Sequence, residues 1–199
     1  LKAEKIIIEE LKKARPNYSI LSEEIGSESN KDNKNVWIID PIDGTLNFLH
    51  GIPHFAISIA LKSNNEIVSG LIFDPIKNEI FYAEKNKGAY FNNHRIRVSK
   101  KSEINDCLFV TGRKSKIHFD FQHRRSGSAA LDMAYVAAGR FDGFFQHELK
   151  IWDIAAGIIL IKEAGGIIND IDLSKTKNLD VITSSPDIHQ KMLEKIDNF

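Results

Sequence analysis

Cysteine is all but missing from this chain of 199 residues. Cys107 stands alone, which excludes an internal disulfide framework. Charge of one sign is missing too: Lys+Arg and Asp+Glu number 27 each, so no global field draws the chain to nucleic acid or an anionic membrane. Long apolar runs are absent. The longest, Ile154 to Ile161, is too short to span a bilayer and carries Gly157. No secretory signal opens the sequence, and the cytoplasm is the expected location. Repeats and low-complexity segments are likewise lacking. What is present, 42% hydrophobic residues, suffices for a sizeable core in one compact unit.

Periodicity predicts the elements. Glu4 to Arg15 forms an amphipathic helix with Ile7, Ile8 and Leu11 on one face, stopped by Pro16. A short strand, Tyr18 to Leu21, runs into Glu23-Glu24. Val36 to Ile39 is unbroken in its apolar character, as a buried strand is, and ends at Asp40-Pro41. Strands follow at Phe55–Leu61, Ile67–Phe73, Ile80–Ala83 and Ala89–Phe91, joined by short turns that include Asn92-Asn93, which predicts antiparallel pairing. Past Gly112 the character changes. A polar, basic stretch from Arg113 to Arg125 reads as a solvated loop, with a nucleic-acid patch as the lesser reading. Gly127-Ser128 opens a helix through Ala138, and another runs from near Trp152 to Gly165-Gly166. Short strands at Ile167-Ile168 and Val181–Thr183 precede a last helix after Pro186. The expected product is a layered α+β protein, with an antiparallel front half over 1–111 and a mixed back half over 112–199.

The segment richest in chemistry is Trp37-Ile38-Ile39-Asp40-Pro41-Ile42-Asp43-Gly44-Thr45-Leu46-Asn47-Phe48. Two carboxylates three residues apart stand where a buried strand ends, the place where chemistry collects in layered α/β architectures. Pro41 fixes φ, so Asp40 and Asp43 can face one small volume. Carboxylates forced together raise each other's pKa, and a divalent cation removes that penalty. No His or Cys stands at ligand spacing, and an all-oxygen set selects a hard ion such as Mg²⁺. Gly44 and Thr45 supply N–H groups at a helix start, a phosphate site. An Asp-Gly pair alone would be an ordinary turn; the full string is not.

That string resembles the metal-binding signature of the inositol monophosphatase family. Ile151-Trp152-Asp153-Ile154-Ala155-Ala156-Gly157, followed by Glu163-Ala164-Gly165-Gly166, is similar to the family's second signature. Gly127-Ser128-Ala129-Ala130-Leu131-Asp132 and Tyr135–Gly139 are similar to its intervening segment. The resemblance implies a layered αβαβα sugar-phosphatase fold, two or three Mg²⁺ ions and a homodimer. It implies that Glu23 holds the first metal and reaches a third, Asp40 bridges two, Ile42 lends its carbonyl, and Asp43 and Asp153 hold the second. Thr45 would orient the attacking water, and Gly44 and Thr45 would hold the phosphate. Gly127, Ser128 and Ala129, beside Asp153, would line the polyol side. Taken alone, Asp153 and Ser128 also suit helix caps.

The implied reaction is hydrolysis of a phosphate monoester, inositol 1-phosphate or a similar polyol phosphate. Leu46-Asn47-Phe48 after Thr45 is similar to the inositol-phosphate branch, whereas the branch acting on 3′-phosphoadenosine nucleotides has a charged pair there; fructose bisphosphate is the further alternative. The resemblance implies a Glu that binds substrate hydroxyls seven residues before Asp153; here Gln146 takes that substrate-binding place, with Glu148 out of register. Gly112 to Arg124 is shorter than usual in the family. The family's Asp partner of Thr45 is expected immediately before Leu1, so the natural chain is expected to continue upstream. A reading of another class, a non-catalytic protein- or RNA-binding member of the fold, has the filled metal positions against it.

Overall fold

The computed structural model describes residues 2–112 and 121–196. The expected basic stretch therefore falls largely outside the described residues. Helix α1 (Lys2–Ala14) packs Ile8 on Ile20 and Ile39, with Ile7 and Leu11 beside it. Then come β1 (Tyr18–Ser22), β2 (Gly26–Glu28), β3 (Asp32–Asp43) and the short helix α2 (Thr45–Leu49). A meander follows: β4 (Ala56–Ser63), β5 (Glu66–Asp74), β6 (Glu79–Glu84), β7 (Gly88–Phe91) and β8 (His94–Arg95). Two of its turns are Asn-Asn pairs at positive φ, Asn64-Asn65 and Asn92-Asn93, where asparagine tolerates the left-handed region that tight hairpins need.

These strands make one sheet in the order β2-β1-β3-β4-β5-β6-β7-β8. It is not wholly antiparallel as expected, because β1 and β3 pair in parallel. The chain reverses into β2 and reverses again, so β3 returns in the direction of β1 on its other side.

The second half supplies β9 (Phe109–Thr111), β10 (His123–Arg124), α3 (Ala129–Ala137), β11 (Gly143–Leu149), α4 (Ile151–Glu163), β12 (Ile167–Ile168), β13 (Leu179–Ser184) and α5 (Pro186–Lys195). Its sheet runs β10-β9-β11-β13-β12, mixed as expected, although β9, β10 and β11 were not foreseen from the sequence. Helices α3 and α4 lie between the two sheets, α1 covers the outer face of the first, and α5 packs Ile188 and Met192 against Phe109, Phe145 and Ile182 on the outside of the second. The result is the five-layer αβαβα arrangement. It explains the longest apolar run: α4 is buried almost all round, and no polar face is needed. Among the described residues no helix is long and apolar enough to cross a membrane.

The layers are pressed close. Gly70 in β5 lies under α4, and a Cβ there would stand 2.7 Å from the Ala156 Cα. On the other side of α4, a Cβ on Gly157 would meet the Met133 sulfur of α3 at 2.6 Å. Gly70→Ala should therefore force α4 off the sheet and cost about 1–3 kcal/mol, the usual penalty for overpacking. Urea unfolding checks this: a midpoint equal to that of the parent protein would mean the sheet-helix spacing is looser than described.

Candidate active site

The site begins with a fault in a ladder. In a regular strand Asp40 and Asp43, three apart, would face opposite sides. Here the β3–β4 register shifts between Asp40↔Ser58 and Asp43↔Ala56, across Pro41, which has no N–H for the ladder. Both carboxylates turn to one side. Asp153, on the first turn of α4, joins them, and one oxygen from each of the three lies within 4.8 Å of the others. Glu23, just past β1, lines the same cavity of about 420 Å³, together with Ile42, Gly44, Thr45, Gly127, Ala129 and Gln146.

Each of the three aspartates is held by backbone. Asp40 Oδ1 accepts from the Ile42 N–H at 2.9 Å. Asp43 Oδ2 accepts from the Ala130 N–H at 2.9 Å and from the Ser128 hydroxyl, which places it against the start of α3 where helix N–H groups favour negative charge. Asp153 Oδ2 accepts from the Lys150 N–H at 2.9 Å. Asp153 is thus not the cap of α4 but its third residue, with Lys150 at the cap position. Glu23 is paired with Lys150 Nζ at 2.7 Å.

The turn after Asp43 needs its glycine. Gly44 has φ 90° and caps α2, and a Cβ there would lie 3.2 Å from the carbonyl oxygens of His54 and Gly127. The Thr45 hydroxyl donates to the Ile42 carbonyl at 2.9 Å. Ser128 differs from expectation: it caps α3 by accepting from Leu131 N, donates to Asp43, is fully buried, and does not line the cavity. Gln146 does line it, and its amide lies where a Cβ on residue 112 would be, 1.9 Å from Gln146 Cδ, so Gly112 makes room for it.

Three participants escaped the sequence reading. Asn47 Nδ2 donates to the His54 and Ser126 carbonyls at 2.8 and 2.9 Å, tying the Gly44 turn to the start of α3. Asp132, fully buried, accepts from the Ser126 hydroxyl. Lys150 is the third. A lysine ahead of an apolar run carries no mark of its destination, and Asn47 and Asp132 sit inside recognisable segments without a ligand-like spacing.

Electrostatics follow from burial. Burial raises Asp40 far above the ordinary carboxylate range, with Asp43, Glu23 and Asp153 adding repulsion. Burial and then Asp153 raise Asp43, against the bonds from Ser128 and Ala130. Burial raises Asp153 to about 6. An all-oxygen donor set whose carboxylates are raised by burial and mutual repulsion fits a hard divalent ion.

A carboxylate cluster able to hold a metal ion stands here beside a glycine turn, in an αβαβα frame. The inositol monophosphatase family model matches residues 1–198. The chain is 47% identical over 186 residues to an inositol-1-monophosphatase of Rhizobium meliloti, covering 86% of this chain and 70% of that protein. It is 43% identical over 193 residues to the Nus factor SuhB of Xylella fastidiosa, covering 89% and 70%. Among solved structures, the extragenic suppressor protein suhB from Bartonella henselae superposes with a TM-score of 0.91 at 42% identity, over 99% of this chain and 82% of that one. The chain belongs to the inositol monophosphatase family, whose phosphomonoesterase chemistry this site is built to support.

The raised carboxylates set a pH dependence. Their folded pKa values lie above the unfolded value near 3.8, so the folded state binds more protons between the two, and stability falls as pH rises through that window. The window opens near pH 4 and extends past the Asp153 value of about 6. A bound divalent ion replaces those protons. The rise in Tm on adding millimolar divalent ion should therefore be larger at pH 8 than at pH 5.5. Differential scanning fluorimetry in chelator and in divalent ion at both pH values measures it; equal rises would mean the cup is not the binding site.

Proposed function

We propose that this chain is a Mg²⁺-dependent phosphomonoesterase acting on inositol 1-phosphate or a similar polyol phosphate. The observation that carries the reading is the convergence of Asp40, Asp43 and Asp153 oxygens within 4.8 Å at one end of a cavity large enough for a sugar-sized ligand. Asp40, Asp43 and Asp153, with Glu23 and the Ile42 carbonyl, would hold two or three ions. When bound, such ions supply the positive charge that makes water nucleophilic near neutral pH and neutralises phosphate and leaving oxygens.

The remaining work falls to the chain itself. The Thr45 hydroxyl gives its proton to Ile42, so toward a water it can only accept. A water whose proton is accepted keeps a lone pair free for phosphorus, which is the orienting role assigned to Thr45. The N–H groups of Gly44 and Thr45 hold phosphate oxygens at the start of α2. Gly127, Ala129 and Asp153 wall the polyol side, together with Gln146; Ser128 acts through Asp43. Relatives that bear the name Nus factor SuhB favour a second reading, the non-catalytic protein- or RNA-binding role, in place of turnover. Phosphate release with and without Mg²⁺ separates the two.

Asp43→Asn keeps volume and can still accept from Ala130 and Ser128, but it loses the charge that faces the ion. It should fold normally and retain less than about a tenth of the activity at saturating Mg²⁺, in line with loss of metal assistance. Phosphate release together with circular dichroism tests it, and greater residual turnover would remove the role given to Asp43. Gln146 makes a neutral bond to a polyol hydroxyl where a carboxylate would make a charge-assisted one, a difference of about 1–2 kcal/mol or roughly tenfold in discrimination. Glycerol phosphate and nucleoside monophosphates should therefore compete within that factor in kcat/KM. Strict preference for one inositol phosphate isomer would show that selectivity lies elsewhere in the cavity.

A further inference from the structure

Lys150 touches the cup at both of its ends. Its backbone N–H holds Asp153 at 2.9 Å, and its ammonium reaches Glu23 at 2.7 Å while standing 5.4 Å above the centre of the Trp152 ring. The side chain of Glu23 is only 24% exposed, whereas that of Lys150 is 42% exposed, so the lysine can step into water and the glutamate cannot. An aromatic platform under the ammonium fixes its resting place. A lysine ammonium is charged at neutral pH, and this one is in ion-pair contact with Glu23. The ammonium therefore already sits, as a positive charge, at the corner of the cup where Glu23 would receive an ion.

We infer that Lys150 is a tethered cation that occupies the Glu23 corner of the carboxylate cup in the metal-free protein and withdraws when a divalent ion binds there, so that it sets the metal threshold of the site. The inference rests on the proposed role of Glu23 as a metal ligand. Two cations cannot share one half-buried carboxylate corner without strong repulsion, so the ion must displace the ammonium. Only the fraction of molecules with the pair open is competent to bind, and the apparent affinity falls by that fraction. The pair would contribute about 1 kcal/mol, a factor of roughly five. The counter-charge also has a use: it relieves the repulsion among the carboxylates while no ion is present.

Isothermal titration calorimetry of the whole protein with MgCl₂ reads the effect without reference to turnover. Lys150→Met keeps the length of the stem over Trp152 and the backbone bond to Asp153 but removes the charge. Its apparent Kd for Mg²⁺ should fall about fivefold, its metal-free Tm should drop, and Lys150→Arg should stay within about twofold of the parent. Lys150→Gln, with the same expected fall in Kd, serves if the methionine variant does not fold. An unchanged or raised Kd in the uncharged variants overturns the inference and makes Lys150 a support of the metal site, not its competitor. A parent protein that takes up no Mg²⁺ at all would instead remove the metal reading itself, and the inference with it.

Discussion

Carboxylates that share a dry volume repel one another, and burial strips away the water that would screen them. Much of this structure can be understood as the apparatus that holds Asp40, Asp43 and Asp153 together against that repulsion. The bulge at Pro41 turns two of them to one side of β3. The first turn of α3 brings an N–H group to Asp43, and the cap residue of α4, Lys150, brings one to Asp153. Those helices in turn stand where they do because Gly70 and Gly157 let them approach the front sheet and each other closely. A structure without a charged ligand to bind would relax this cluster by apolar substitution at little cost, since buried charges are seldom retained for stability alone.

The site also joins the two halves of the chain. Asp43 lies in the first sheet and its hydroxyl partner, Ser128, caps a helix between the sheets. Asn47 repeats the connection one turn later, through the Ser126 carbonyl. Behind both, one hydrophobic core runs from Ile38 and Phe81 of the front sheet to Phe144 and Val181 of the back one. Asp43 and the start of α3 therefore share one frame, and a shift of the layers would be felt as a change in the distance between them.

The legibility of all this in the sequence was uneven, for physical reasons. The strand that ends in Asp40-Pro41, the glycine turn and the helices at Ser128 and Ile151 were readable because each carries a local cause: an unbroken apolar run, a fixed φ, a cap. The gathering of carboxylates was readable because Asp40 and Asp43 are close in sequence, and Asp153 was attached to them by a family signature, not by any spacing. β11 was not readable. Its apolar Gly143-Phe144-Phe145 gives way to Gln146-His147-Glu148, Glu148 adopts φ 57°, and the register with β13 slips there, so no period of two survives. The parallel pairing of β1 with β3 was hidden for a different reason, since strand direction depends on how many reversals lie between, and β2 is only three residues long.

Lys150 and Gln146 show why a site's ligands are easier to foresee than its tuning. A ligand carboxylate must be a carboxylate, and its identity announces the chemistry. The residues around it act through where they reach. Gln146 enters the cavity only because residue 112 is a glycine thirty-four positions earlier, and Lys150 matters only because Glu23, on the far side of the sequence, ends a strand parallel to β3. Both contacts depend on tertiary placement that local pattern does not encode. The Lys150 ammonium and the Gln146 amide are held by none of the bonds that fix Asp40, Asp43 and Asp153, so they can vary while those bonds stay in place.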